Sequence, residues 1–270
     1  NMFKHSTYYF SQSFIEQSTI TNVQINDRIA TMKGFLKSDT APNPEEWEQH
    51  WAAIGKTDVP FSDIHSNITR AIKNHEALLR NNPKTEWDYV VLQSWRDVSE
   101  QPNQGYERYA TKLAEIVKAQ GAEVILYMTS PETQNQDPVT EPYNVASAER
   151  DTAVGLRMAK ALQPKAVIPV PLAIKNIQTG DADKPGSALV FRYHNDGHPN
   201  QTCAFLVANL FYAALTGKSP EGLEFDTVVE TKAKDGKDPD GGELKVVFEG
   251  EEKAYLQRMA WEAAVEFSGE

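Results

Sequence analysis

A single cysteine, Cys203, stands in 270 residues. No internal disulfide can form, so a small scaffold held by disulfide staples is excluded. Basic residues are also in short supply: 27 Lys and Arg against 38 Asp and Glu give a net charge of -11. Without a basic surplus to neutralise phosphates, nucleic acid is not an expected partner. Adhesion to anionic membranes is disfavoured for the same reason. No apolar run approaches the ~20 residues that a membrane-spanning helix needs, so no span is expected. There is no repeat of fixed period and no long low-complexity tract. His50, His65 and His75 are scattered without metal-ligand spacing such as H-E-x-x-H, and neither a metal nor an organic cofactor is expected. The opening, NMFKHSTYYF, is not a signal peptide. It reads as a mature or trimmed start, compatible with a periplasmic or secreted protein whose leader has been removed. The compartment is otherwise open.

What is present is an ordinary globular composition, 40% hydrophobic and 24% charged. Strand-like and helix-like segments alternate through the middle of the chain. WDYVVLQS (87–94) has the β-branched, apolar centre of a buried parallel strand. YERYATKLAEIVKAQG (106–121) follows with apolar residues at helical spacing and Gly121 as a stop. AEVILYMTS (122–130) reads as a second strand, residues 145–163 as a helix, and AVIPVPLAI (166–174) as a third strand running into a loop or short helix. TCAFLVANLFYAALTGKSP is an apolar helix closed by Gly217 and Pro220. This order predicts βαβ units around a mostly parallel sheet, whose sites gather at the carboxyl ends of the strands. The first 86 residues say less. STYYFSQSFIEQSTI suits a helix, and NPEEWEQHW starts another with Asn43 as cap and Pro44 at its first position. Near the end, the Gly-rich stretch around 230–243 reads as a hairpin or disordered excursion. Its DGKDPDGGE has acidic residues but not calcium-loop spacing, so a polar turn is expected. An amphipathic helix (251–267) closes the chain, and no linker between independent domains stands out.

The stretch RYHNDGHPNQT puts Asn195, Asp196 and His198 just ahead of the apolar helix. Two readings stay open. One is a local cap and turn, with the helix beginning near Asn200. The other is a proton relay in which an acid fixes the tautomer of His198 and stabilises its imidazolium.

D-G-x-H-P-N followed by an apolar helix ending FYAALTGKSP resembles the last block of SGNH (GDSL-type) hydrolases. EWDYVVLQSWRD, QGAEVILYMTSP, AVIPVPLAI and LQRMAWEAAVEF are similar to a bacterial branch of that superfamily, and the resemblance covers roughly residues 45–270. It implies a single three-layer α/β/α sandwich with a mostly parallel sheet, and hydrolysis of an ester through a Ser-His-Asp triad. The implied substrate is a small-molecule or glycan ester, such as an acetylated polysaccharide. His198 would be the general base and acid. The acid of the pattern stands three residues before the histidine, where this chain has Asn195; Asp196 is two before. Either can be the orienter. The nucleophile block G-[ND]-S is absent; the nearest match is FKHSTYYF, with Ser6 as nucleophile and Lys4 and His5 in the other two places. Ser94 and Ser130, at strand ends, are fallbacks. The oxyanion donors implied are the Ser6 amide, Gly34 and the Gln93 side chain. Trp95 is placed to stack on a sugar ring and His194 to touch substrate. Cys203 occupies a place usually held by glycine. The departures leave two rivals: an inactive SGNH-like domain that binds a glycan or partner, and an acyltransferase on the same fold.

Overall fold

The structure, a computed structural model, describes residues 5–53, 56–81, 85–94, 98–129, 145–180, 189–195, 198–231 and 235–269. Four helices come first: α1 (His5–Ile15), α2 (Asn22–Phe35), α3 (Pro44–Ala53) and α4 (His65–Asn81). The alternating part follows as β1 (Tyr89–Ser94), α5 (Gly105–Ala119), β2 (Glu123–Met128), α6 (Val145–Leu162), β3 (Ala166–Pro169) and α7 (Val170–Thr179). Then come α8 (Gln201–Thr216), β4 (Thr227–Val229), β5 (Lys245–Val247) and α9 (Gly250–Ser268). The fold is mixed α/β, with β1, β2 and β3 forming a parallel sheet in that order.

The chain divides into two compact units, Asn1–Ile125 and Leu126–Glu270, and the divide falls inside β2. In the first unit, Ile25, Ile29 and Met32 of α2 meet Ile68 and Ile72 of α4 in a core that also takes in Trp47 and Phe61. Local chemistry sets the helix starts. Thr21 and Gln24 form a reciprocal capping box at α2. Asn43 accepts from the Glu46 amide (3.2 Å) one residue ahead of Pro44. Tyr106 of α5 donates to the Leu92 carbonyl (2.6 Å), tying that helix to β1.

In the second unit, β3 contacts α6, α8 and α9, and α9 also lies against α7 and α8. The third strand is shorter than its apolar run suggests. It stops at Pro169, and Val170 opens α7 with Pro171 in the first turn, because proline lacks the N–H that a strand ladder needs yet fits a helix start. Gly155 lets α6 come close to its neighbours: a Cβ there would lie 3.2 Å from Met128 Cγ and 3.3 Å from Phe267 Cζ. α8 ends at Gly217 in the left-handed region (φ +64°). β4 and β5 pair antiparallel, Val228 opposite Val246, so the Gly-rich stretch connects a hairpin.

Candidate active site

The segment before α8 is a tight, doubly braced loop. Arg192 and Pro199 form an antiparallel bridge. The Tyr193 amide donates to the His198 carbonyl (2.9 Å), and the Asn200 amide to the Phe191 carbonyl (3.2 Å). Asn200 is the N-cap of α8: its Oδ1 accepts from the Cys203 amide (3.0 Å), while its Nδ2 donates to the Val190 carbonyl (2.8 Å). The capping function therefore belongs to Asn200, and capping does not account for His198.

The second brace comes from the β4–β5 connection. Both carboxylate oxygens of Asp240 are engaged, accepting from the His194 amide (2.9 Å) and the Asn195 amide (2.8 Å). The Asn195 side chain donates to the Pro239 carbonyl (3.3 Å), so that amide faces the hairpin. Asp238 shapes the turn by accepting from the amides of Asp240 (3.0 Å) and Gly242 (2.6 Å). Position 242 must be glycine, since a Cβ there would sit 2.8 Å from Asp238 Oδ2. The acidic stretch is thus a hydrogen-bonded turn, and among the described residues no group of acidic, His or Cys side chains could hold a metal ion. Lys237 pairs with Glu243 and holds its carboxyl below the usual carboxylate range.

Beneath the loop, buried Tyr193 shares its hydroxyl proton between Gln201 Oε1 (2.8 Å) and Glu230 Oε2 (3.2 Å). Gln201 in turn donates to the Glu243 carbonyl (3.2 Å). His198 is exposed at the end of the loop. His194 is half-buried, and its Nδ1 is enclosed without a hydrogen-bond partner among the described residues. Tyr127, at the carboxyl end of β2, is near Cys203 and Arg192. Burial pushes its phenol well above the ordinary value, the Cys203 thiol adds to the rise, and the Arg192 guanidinium opposes it.

In the first unit, Ser6 is the second residue of α1. Gln93 is exposed near the carboxyl end of β1 and lines a cleft of about 320 Å³. Ser94 is buried. Gly34 falls in the last turn of α2, where helical geometry aims each N–H at the carbonyl four residues earlier. That correction removes Gly34 from the oxyanion donors. Asp196, Trp95 and Ser130 lie outside the described residues.

One polar cluster escapes a reading by motif. Ser13 of α1 and His75 of α4 are both fully buried and 2.8 Å apart through Oγ and Nε2. His75 Nδ1 is 2.9 Å from the Ala71 carbonyl. A carbonyl only accepts, so Nδ1 carries the proton and Nε2 accepts from the Ser13 hydroxyl. Arg28 donates to Ser13 Oγ (2.6 Å) and pairs with Glu16 (2.9 Å). The signal was the spacing Ile68, Ala71, Ile72, His75, Leu78, which puts the imidazole on the buried face of α4.

No known family, curated protein or solved structure matches the chain.

Proposed function

We propose that the chain is a serine ester hydrolase on a three-layer, SGNH-type α/β/α frame. The observation that carries this reading is the division of labour around α8. Asn200 makes the cap and Asp240 braces the loop, which leaves an exposed imidazole, His198, on a rigid mount with no capping duty. Rigid mounting is what general-base geometry requires.

In this reading Ser6 is the nucleophile. Its position in the first turn of α1 suits an oxyanion, because amides there have no intrahelical acceptor. His198 takes the Ser6 proton as Oγ bonds to the ester carbonyl carbon, and returns it to the departing alcohol. Water, deprotonated by the same imidazole, then releases the acid and restores the serine. The Ser6 amide and the Gln93 side chain receive the oxyanion. Asp196 is the orienting acid, since the Asn195 side chain is directed at Pro239. The substrate class is a small-molecule or glycan ester, with Trp95 and His194 on the alcohol side. The same engagement of Asn195 also suits a second reading, a non-catalytic domain that binds a glycan.

The test is fluorophosphonate labelling of the full chain with peptide mapping, alongside aryl acetate hydrolysis. Stoichiometric label on the Ser6 peptide, lost together with turnover in His198→Ala, is the expected result. Label on Ser94 or Ser130 would move the nucleophile. Absence of both label and turnover would sink the hydrolase reading in favour of glycan binding.

A further inference from the structure

The sheet leaves one long edge open to a partner, and this inference is independent of the hydrolase reading. β1 is terminal in the order β1-β2-β3. The Glu123 amide donates to the Asp88 carbonyl (2.9 Å), so Asp88 faces β2. In a regular strand the backbone groups alternate in direction. Val90, Leu92 and Ser94 then also face β2, while the N–H and C=O groups of Tyr89, Val91 and Gln93 point along the outer edge. The same three residues are exposed, Tyr89 at 47% and Val91 at 45%. Native proteins usually blunt such an edge with charge, proline or a bulge. This one carries none of these between Tyr89 and Ser94.

Beside the edge runs the cleft of about 320 Å³, in which Phe10 and Phe14 of α1 face β1 and Trp87, with the Phe14 and Trp87 rings 5.4 Å apart. Trp87 Nε1 is enclosed there without a hydrogen-bond partner among the described residues. At the amino end of the strand, Trp87 and Tyr89 are shared with a polar groove of about 700 Å³. That groove carries the carboxylates of Glu86, Asp88 and Glu123, and no Lys or Arg lines it. Apolar walls, an unpaired ladder and a negative end specify one kind of occupant.

We propose that β1 accepts an extended peptide segment of a partner protein as an added strand, with alternate apolar side chains in the cleft and a basic residue over Glu86, Asp88 and Glu123. Main-chain hydrogen bonds would supply affinity, and the cleft and the carboxylates would select sequence.

The probe is a fluorescein-labelled synthetic peptide, Lys-Lys-Val-Thr-Val-Thr-Val, titrated with the full chain and read by anisotropy. Saturable binding is expected, weakened about tenfold or more by N-methylation of alternate peptide amides, which costs hydrogen bonds but little apolar area. Val91→Pro deletes only an outward N–H, a change that edge strands tolerate, and should weaken binding similarly with unchanged circular dichroism. Glu86→Gln with Asp88→Asn should weaken binding and flatten its salt dependence. The N-methylated peptide keeps the test valid if Val91→Pro misfolds. No saturation at about 1 mM peptide, or equal affinity of the N-methylated peptide, overturns the proposal. So does a dimer in sedimentation that Val91→Pro dissolves while the peptide fails to bind, since the edge would then belong to a second copy.

Discussion

Asn200 holds the loop and the helix at once, its Oδ1 on the Cys203 amide and its Nδ2 on the Val190 carbonyl. Replacing it with Ala removes both and should cost about 1–2 kcal/mol, the range for a lost N-cap. His198→Ala, at an exposed position, should leave the urea midpoint within about 0.5 kcal/mol of wild type. If the two variants lose equal stability, His198 belongs to the cap after all. At this scale the sequence spoke partly. The helix start near Asn200 was legible because Asn before an apolar helix has a local meaning. The partners of Asn195 and Tyr193 were not, because Asp240 and Glu230 reach them from far along the chain.

Helix pairing in the first unit rests on polar as well as apolar contact, since Ser13 joins α1 to His75 of α4 inside a buried face. Ser13→Ala deprives both His75 and Arg28 of a hydrogen-bond partner and should cost about 1–3 kcal/mol. A double-mutant cycle with His75→Phe should show coupling of at least about 0.5 kcal/mol; additive losses would mean that the pair is incidental. Strong periodicity made α5, α6, α8 and α9 readable to within a few residues. The ends of the third strand were misread, because Val-Ile-Pro-Val-Pro-Leu-Ala-Ile is apolar whether extended or helical and only the prolines separate the two. α2 and α4 carried signals, a T-x-x-Q box at Thr21 and an apolar stripe from Ile68 to Leu78, but small hydrophobes diluted by Asn, Lys and Arg make weak amphipathic patterns.

For the molecule as a whole, the α/β class followed from alternation of element types, which any βαβ chain must show. The division into two compact units did not. It needs no linker, because it passes through the middle of β2, between Ile125 and Leu126. Both of these residues are buried. Fragments 1–125 and 126–270 should therefore each expose half an apolar strand and be recovered insoluble or unfolded when expressed alone. A soluble fragment with a cooperative melt would show that its unit needs no intact β2.

Asp240 grips the His194 and Asn195 amides across 45 or more residues of chain. An insertion or deletion at the tip of a surface hairpin is normally among the most forgiving changes a protein can receive. Here it would slide the carboxylate off its two amides and let the histidine loop drift. The hairpin and the loop must accordingly keep their lengths in step, and an engineer seeking a site for a tag or a graft should pass this one by.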